Sequence, residues 1–309
     1  MTIRFDDQVV IVTGAGNGLG RSHALGFAER GAKVVVNDLG GARDGTGASS
    51  AAAEEVVELI RSNGGEAIAN GANVADFDEV QAMVAEAMQA WGRVDVLVNN
   101  AGVLRDKSFA KVSIENFKFV VDVHLMGSVY CTKAVWDIMR QQNYGRIVMT
   151  TSSSGMYGNF GQTNYGAAKM AVLGFMNTLV LEGHKYGIHV NALAPAAGTR
   201  MLEDLIPDQR VMELMSVESV TAGLLTLCDK DAPNRQILCA GAGGYAATHI
   251  TETDGVYLPP EQQTPEDVRA HMQAINDPTG ARMFTVGGEQ SDKFVEKAMQ
   301  HFGIETPKS

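Results

Sequence analysis

Three polar side chains near the middle of the chain could together transfer a proton. Tyr165 and Lys169 stand four residues apart, so on a helix both side chains would project from one face. A tyrosine with its ordinary pKa of about 10 is a poor base at neutral pH, and a neighbouring cation favours the phenolate by about one to three pKa units. Such a pair alone is typical of a solvated helix surface. Ser152, which ends a predicted strand, could hold a substrate oxygen beside the phenol, with Ser153 and Ser154 as alternatives, and the set then favours general acid–base catalysis.

A glycine-rich turn supplies a second kind of chemistry. Gly14-Ala15-Gly16-Asn17-Gly18-Leu19-Gly20 follows a short apolar run and precedes a helical pattern. Glycines allow the backbone to approach a pyrophosphate, whose charge is met by free N–H groups at the start of a helix. We therefore predict that a dinucleotide binds at Gly14, Asn17, Gly18, Leu19 and Gly20.

The kind of dinucleotide is predicted by Asp38, which ends the second apolar run. A carboxylate there accepts hydrogen bonds from the adenosine ribose and repels the extra phosphate of NADP. Asn17 has no positive charge to offset that phosphate, and Arg43 is the one nearby residue that could favour NADP. The pattern favours NAD, with Asp38 expected at an exposed strand end that contributes little to stability.

These residues need a scaffold, and the chain alternates short apolar runs with helical patterns. The Val- and Ile-rich runs lack strict alternation, as is typical of strands covered on both faces. We predict one α/β domain over residues 1–245, a Rossmann-type, doubly wound parallel sheet of seven strands with helices on both faces. The strands are expected at residues 9–13, 33–37, 67–70, 94–99, 146–150, 189–193 and 236–240, and the helices at 22–30, 48–62, 77–91, 114–141, 164–186 and 217–229.

Two segments stand apart from this alternation. The glycine-rich residues 40–50 either cover a cofactor or form a solvated insertion. Residues 246–309 are too few for an independent catalytic domain, and we expect them to pack as an extension on the domain or on a neighbouring subunit. Within the extension, residues 245–258 could form a strand pair, and helices are expected at 264–275 and 291–302.

Charge and composition exclude several classes of function. The net charge of −11, without a block of Lys or Arg, argues against a nucleic-acid partner. The three cysteines lack metal-ligand spacing, so no metal is expected and they are interpreted as reduced core residues. No apolar run reaches membrane-spanning length and no secretory leader is apparent, so a cytoplasmic location is expected.

The motifs together resemble the short-chain dehydrogenase/reductase family across residues 5–245. The resemblance rests on the glycine turn, on Asn99-Asn100-Ala101-Gly102, on Ser152, and on Tyr165 with Lys169. The stretches VVNDLGG (35–41), LRDKSF (104–109) and GMYGNFGQ (155–162) resemble more closely the (3R)-hydroxyacyl-CoA dehydrogenase domains of peroxisomal multifunctional enzymes of type 2, also called 17β-hydroxysteroid dehydrogenase type 4. No hydratase or sterol-carrier domain and no peroxisomal signal follow, so a free-standing bacterial relative is expected.

The resemblance implies a role for each matching residue. Ser152 would orient the substrate oxygen, Tyr165 would transfer the proton, and Lys169 would bind the nicotinamide ribose. Further cofactor contacts are implied for Asn100, Ala101 and Gly102 on the adenine-ribose side, Asn73 and Val74 at the adenine, and Ala197, Gly198 and Thr199 at the nicotinamide. Two positions depart from the family. His124 stands where an asparagine commonly anchors a relay water, and a buried structural histidine is an equal interpretation; Ala196 replaces a glycine after Pro195.

The implied activity is an NAD-dependent oxidoreductase that interconverts a secondary alcohol and a ketone on a bulky apolar substrate, either a 17β-hydroxysteroid or a (3R)-hydroxyacyl-CoA, including a steroid-derived one. Met156, Tyr157, Phe160 and Met201 are candidate substrate-binding residues, although apolar residues at such positions more often pack than bind. By the same resemblance, the helices predicted at 114–141 and 164–186 would pair subunits in a homodimer or homotetramer. The alternative is an inactive NAD-binding sensor or scaffold.

Overall fold

A parallel sheet forms the centre of the protein in the computed structural model, which describes residues 2–47, 49–197 and 209–304. The sheet has the strand order β3-β2-β1-β4-β5-β6-β7-β8, and β1 to β7 pair in parallel. The strands are β1 (Val9–Thr13), β2 (Lys33–Asn37), β3 (Glu66–Asn70), β4 (Val96–Asn99), β5 (Gly145–Thr150), β6 (Ile188–Ala196), β7 (Ile237–Gly241) and β8 (Gly244–Thr248).

Helices lie between the strands and continue after them. They are α1 (Gly18–Ala28), α2 (Ala51–Ser62), α3 (Phe77–Trp91), α4 (Ile114–Val121), α5 (Gly127–Gln142), α6 (Ser153–Tyr157), α7 (Thr163–Gly183), α8 (Gln209–Leu214), α9 (Val217–Cys228), α10 (Pro265–Ala270), α11 (Met272–Ile275) and α12 (Gly288–Phe302). A π-helical turn, Asp122–Met126, separates α4 from α5, and 3₁₀ turns occur at His184–Tyr186 and Pro260–Gln262.

Both faces of the sheet are covered, as strand β1 shows. Val9 and Ile11 belong to one buried apolar cluster, whereas the alternate residues Val10 and Val12 belong to a second cluster. Side chains alternate between the two faces of a strand, so a strand that is apolar throughout must be packed on both. The prediction of a doubly wound parallel sheet is confirmed.

The structure differs from the sequence prediction at four elements. The sheet has eight strands, because the first part of the predicted pair at 245–258 adds to the sheet as β8 and its second part is not a strand. The single helix predicted at 114–141 is interrupted by the π-helical turn, and the predicted helix at 264–275 is split into α10 and α11. The short helix α6 was not predicted, because five residues are too few for a recognisable helical repeat.

The chain divides into two compact units between Ala247 and Thr248. In the second unit an antiparallel bridge joins Glu252 to Arg282. Lys293 on α12 is buried and pairs with the Glu252 carboxylate. None of the helices in the described parts of the chain is long and apolar enough to cross a membrane.

Candidate active site

The loop after β5 brings Ser152 next to helix α7. Ser152 has extended backbone angles and caps α6, where its Oγ accepts the N–H of Ser154 at 3.2 Å. Helix α6 lies directly against α7, since a Cβ on Gly155 would be 2.9 Å from Cβ of Lys169. A serine is a preferred N-cap residue because its hydroxyl satisfies a free N–H at the helix start. Ser152 is thereby held at the carboxyl end of β5, the edge of the sheet where ligands of such folds bind.

Tyr165, in the first turn of α7, is half-buried, and the Ser152 side chain lies near enough to interact with its phenol. Burial raises the pKa of Tyr165, the nearby Ser152 side chain opposes that shift, and the Asp106 carboxylate adds to it. Among the three serines considered from the sequence, Ser152 is therefore the one that contacts the phenol. The expected lowering of the Tyr165 pKa by Lys169 is wrong for this structure, because the loss of hydration outweighs the other influences.

Lys169 lies one turn further along α7 and is only 3 % exposed. Its Nζ donates a hydrogen bond to the backbone oxygen of Thr150 at 2.6 Å and lies 5.6 Å from the centre of the Tyr165 ring. Burial lowers the pKa of Lys169 to about 7, because the ammonium has lost its water. Serine, tyrosine and lysine thus meet at one site, and the lysine is poised to exchange a proton near neutral pH.

The start of α7 is fastened by side chains that the sequence reading did not single out. Asn164 is buried; its Oδ1 accepts the N–H of Tyr165 at 2.8 Å and its Nδ2 donates to the oxygen of Arg105 at 3.2 Å. Next to it, Gln162 donates to the Asp106 carboxylate at 2.7 Å. These bonds hold residues 105–106 against the helix that carries Tyr165. The available sequence signal is the pair of amide residues, Gln162 and Asn164, within three residues of the tyrosine.

The glycine turn after β1 fits a dinucleotide phosphate. Gly14 has a φ of +64°, and a Cβ on Gly20 would be 2.1 Å from the oxygen of Gly14, so both positions exclude a side chain. Helix α1 then begins at Gly18 with Asn17 as its N-cap. The first turn of α1, all of it described, has no side-chain cap and no acidic residue. Its N–H groups and helix dipole therefore suit an anion.

The segment after β4 is hydrogen-bonded to this turn. The side-chain amide of Asn100 donates to the oxygens of Thr13 and Gly14 at 2.9 and 3.1 Å. The backbone N–H groups of Asn100 and Ala101 both donate to the Thr13 hydroxyl, at 3.0 and 3.1 Å. Strand order reverses between β1 and β4, the point where such sheets bind ligands. The side-chain amide of Asn100 therefore stabilises the glycine turn. The same amide N–H groups are then not available to donate to a ligand.

Asp38, directly after β2, links the glycine turn to the next loop. One carboxylate oxygen accepts the N–H of Gly16 and the other that of Gly40, each at 2.7 Å. The side chain is half-buried, so the expected exposed position is wrong. Each carboxylate oxygen offers about two acceptor sites, which leaves room for ribose hydroxyls as well. The glycine turn, the open helix start and Asp38 together fit a dinucleotide.

The glycine-rich loop at residues 40–47 is tied to the segment that follows β4. Its Arg43 oxygen accepts the N–H of Leu104, and its Asp44 oxygen accepts Nε of Arg105, both at 3.0 Å. The guanidinium of Arg105 in turn lies 3.8 Å over the ring of Phe119. A cavity of about 350 Å³ is lined by Ala42, Arg43, Asp44, Thr46, Leu104 and Asp106. These contacts favour the interpretation that the loop lines the site over the interpretation that it is a solvated insertion.

The other predicted cofactor residues lie after β3 and β6. Asn73 uses its Oδ1 to accept the N–H of Ala75 at 3.0 Å, and Val74 is buried against Gly127. Ala197 is buried directly after β6, which continues without interruption through Ala196. Gly198 and Thr199 lie outside the described residues.

The candidate substrate-binding residues that the structure describes differ in exposure. Met156 is half-buried and packs against the core. Tyr157 and Phe160 are 71 % and 91 % exposed. Met201 lies outside the described residues. The structure thus shows two exposed aromatic rings, that of Tyr157 at the end of α6 and that of Phe160 between α6 and α7.

Metal chemistry has no candidate site in the described ranges, where no three His, Cys, Asp or Glu side chains come together. Cys131 and Cys228 are buried, and burial raises the pKa of both thiols, that of Cys131 to about 12. A thiol that stays protonated is a poor nucleophile. Both cysteines therefore act as core residues.

Comparison with known proteins accounts for this arrangement. Residues 8–210 match the family model described as short chain dehydrogenase. The chain belongs to the short-chain dehydrogenase family. It is 48 % identical over 280 residues to a short-chain type dehydrogenase/reductase of Mycobacterium tuberculosis, covering 90 % of this chain and 96 % of that protein. The family consists of oxidoreductases.

Two solved structures extend the comparison. The full-length peroxisomal multifunctional enzyme type 2 of Drosophila melanogaster is 36 % identical with a TM-score of 0.81, over 96 % of this chain and 50 % of that one. This chain thus spans half of that enzyme, and its homology is to the dehydrogenase part. A 7α-hydroxysteroid dehydrogenase, solved with NADH and 7-oxo-glycochenodeoxycholic acid, is 28 % identical with a TM-score of 0.70, over 78 % of this chain and 95 % of that one.

Proposed function

We propose that the protein is an NAD-dependent dehydrogenase that interconverts a secondary alcohol and a ketone. The observation that carries the proposal is that Ser152, fixed as the N-cap of α6, lies beside Tyr165 on α7, with the buried Lys169 one turn away on the same helix. This set lies at the carboxyl edge of the sheet, together with a glycine turn suited to phosphate. We assign catalysis and cofactor binding to residues 1–245 and treat residues 246–309 as an extension.

The chain's own residues supply orientation and proton transfer. Ser152 would hold the substrate oxygen beside the phenol, and Tyr165 would take the hydroxyl proton during oxidation or return it during reduction. Lys169, whose pKa is about 7, would bind the nicotinamide ribose and exchange the proton onward. A bound NAD would supply the redox chemistry, with hydride transfer at the carbinol carbon, while these side chains orient the substrate and move the proton.

The pH dependence follows from the raised pKa of Tyr165. Oxidation needs the phenolate, whose fraction increases with pH, whereas reduction needs the protonated phenol. We therefore expect the rate of alcohol oxidation to rise into the alkaline range, and the rate of ketone reduction to be greater at lower pH.

NAD is the proposed cofactor because of Asp38. Its carboxylate is fixed by the N–H groups of Gly16 and Gly40 at the end of β2, where it would repel a 2′-phosphate. The related 7α-hydroxysteroid dehydrogenase was solved with NADH, which supports a nicotinamide cofactor. A higher kcat/KM with NADP than with NAD would contradict this assignment.

The proposed substrate is bulky and mostly apolar, either a 17β-hydroxysteroid or a (3R)-hydroxyacyl-CoA, including a steroid-derived one. Support comes from the exposed rings of Tyr157 and Phe160, which lie in the segment that joins Ser152 to Tyr165, and from the similarity to a multifunctional enzyme of type 2 and to a hydroxysteroid dehydrogenase. Assays of NADH formation with estradiol, testosterone and (3R)-hydroxyacyl-CoA esters in parallel would choose between the two classes. A homodimer or homotetramer is also proposed, and a monomer by light scattering at micromolar concentration would contradict it.

The decisive experiment is Tyr165→Phe, which removes one oxygen and keeps the ring. Since general acid–base catalysis contributes about a hundredfold to ten-thousandfold in rate, turnover should fall by at least about a hundredfold. NAD affinity, measured by fluorescence titration, should change by less than about fivefold, because the loss of one neutral hydrogen bond is worth about 1 kcal/mol.

Tyr186→Phe is the matched control, because Tyr186 loses a hydrogen bond from Arg140 at 2.9 Å outside the site. It should retain native turnover. Near-native turnover of Tyr165→Phe would show that another group transfers the proton. Binding of NAD by the wild type without turnover of any tested alcohol would instead support a sensor or scaffold.

A further inference from the structure

A π-helical turn interrupts the long helical segment opposite the catalytic tyrosine, and it carries a buried histidine. His124 lies in the turn Asp122–Met126 and is only 2 % exposed. Its Nε2 is 2.8 Å from the oxygen and 3.1 Å from the nitrogen of Val103. The hydroxyl of Ser128 donates to the His124 oxygen at 2.7 Å. Single π-helical turns inside α-helices are frequent at functional sites.

The ring of His124 is neutral and incompletely satisfied. Burial lowers the pKa of His124 well below its ordinary value, and the Lys169 cation lowers it further. Nδ1 is buried and has no hydrogen-bond partner among the residues described. An unpaired buried nitrogen destabilises a fold, and a native structure keeps one for a specific reason. Stability alone therefore does not explain a histidine here.

The contacts of the ring point to that reason. The rings of His124 and Tyr165 are 5.1 Å apart between centres and stand at 88° to each other, an edge-to-face contact. On another side, a Cβ added to Gly102 would be 2.4 Å from Cε1 of His124. The imidazole is thus confined between the backbone at residues 102–103 and the phenol of Tyr165.

We infer that His124 is a positioning residue for Tyr165: its ring, fixed by the backbone of Val103 on the π-helical turn and given space by Gly102, holds the phenol at Ser152. The inference rests on the proposed role of Tyr165 as the proton-transfer group. Gly102 acts through His124. Because glycine has no side chain, the imidazole of His124 can lie directly against the backbone of residue 102.

A double-mutant cycle tests the coupling between the two residues. His124→Ala removes the ring, and Gly102→Ala displaces it; Gly102 has no positive φ, so alanine is compatible with the backbone. Each single variant should lower kcat about tenfold to a hundredfold, since small displacements of a reacting group have effects of that size. NAD affinity of His124→Ala should stay within about threefold of wild type, less than 1 kcal/mol.

The double variant should resemble His124→Ala alone, because a methyl group at residue 102 has nothing left to displace. A double variant whose loss equals the product of the two single losses would overturn the role of Gly102, as would a loss of NAD affinity that persists in it. His124→Leu, which refills the space without an aromatic edge, keeps the test valid if His124→Ala does not fold. Native kcat in a folded His124 variant would overturn the inference.

A second readout does not depend on turnover. In protein labelled at tyrosine Cζ with carbon-13, the seven tyrosines can be followed by NMR and Tyr165 assigned from its absence in Tyr165→Phe. The ionisable groups near Tyr165 are Asp106, which raises its pKa, and Lys169 and His124, which lie close to its ring. In His124→Ala the Tyr165 signal should shift and titrate at lower pH, because water reaches the phenol.

The matched control for that readout is His23→Ala, which removes an equally buried histidine elsewhere in the domain. It should leave the Tyr165 signal unchanged. An unchanged Tyr165 signal and titration in His124→Ala would refute the positioning role. Absence of turnover in the wild type would refute only the proposed function, since the NMR experiment still reports the contact.

Discussion

Mild acid should destabilise the protein through His23, a buried histidine remote from the catalytic set. His23 lies on α1 and is 1 % exposed. Its Nδ1 is 2.8 Å from the hydroxyl of Thr221 on α9, which also bonds Ser22 at 2.7 Å. Burial lowers the pKa of His23 from 6.5 to about 3. The native structure therefore contains a neutral histidine where the unfolded chain, below pH 6.5, contains a charged one.

The sign and size of the effect follow from proton linkage. Between pH 6.5 and about 3 the unfolded state binds one more proton at this residue, so the free energy of unfolding falls as the pH falls. The loss is about 1.4 kcal/mol per pH unit and reaches roughly 5 kcal/mol over the whole interval. That is comparable to the total stability of many domains, about 5–15 kcal/mol.

The assay is urea unfolding at pH 7.5, 6, 5 and 4 of the wild type and His23→Asn, whose amide can still bond Thr221 and does not titrate. The wild type should lose about 3 kcal/mol more than the variant between pH 7.5 and 4. His184→Asn, at an exposed position, controls for the mere loss of a histidine. Parallel pH dependences of the wild type and His23→Asn would refute the reasoning.

Three further predictions concern the proposed cofactor site. Asp38→Ala should raise kcat/KM with NADP relative to NAD. It should also lower the free energy of unfolding by about 2 kcal/mol, because two backbone N–H groups lose a charged acceptor. An unchanged free energy of unfolding would contradict this structural role of Asp38. Gly20→Ala should abolish NAD binding in fluorescence titrations and destabilise the fold by at least about 1–3 kcal/mol, since its Cβ would overlap the Gly14 oxygen, whereas Gly174→Ala, in open space on α7, should leave both unchanged. Lys169→Ala should lower turnover and weaken NAD binding together; a loss of turnover with native NAD affinity would remove the lysine from the cofactor.

Much of the scaffold was predictable from the sequence, because its signals are local. Strand β1 and helix α3 have the predicted bounds, and the parallel sheet follows from apolar strands that alternate with helices. The glycine turn and the pair Tyr165 and Lys169 were recognisable because their function depends on fixed short spacings. Ser152 was placed near them by the rule that parallel strands end at one edge of the sheet.

Only the tertiary structure decided the environment of those residues, because burial and partners come from segments distant along the chain. Asp38 holds the backbone at Gly16 and Gly40, although its sequence position suggested a free carboxylate. The pKa of Tyr165 is raised rather than lowered, because packing removes water from the phenol. The π-helical turn that carries His124 has no local signature, since its extra residue is accommodated by contacts with Val103 and Tyr165.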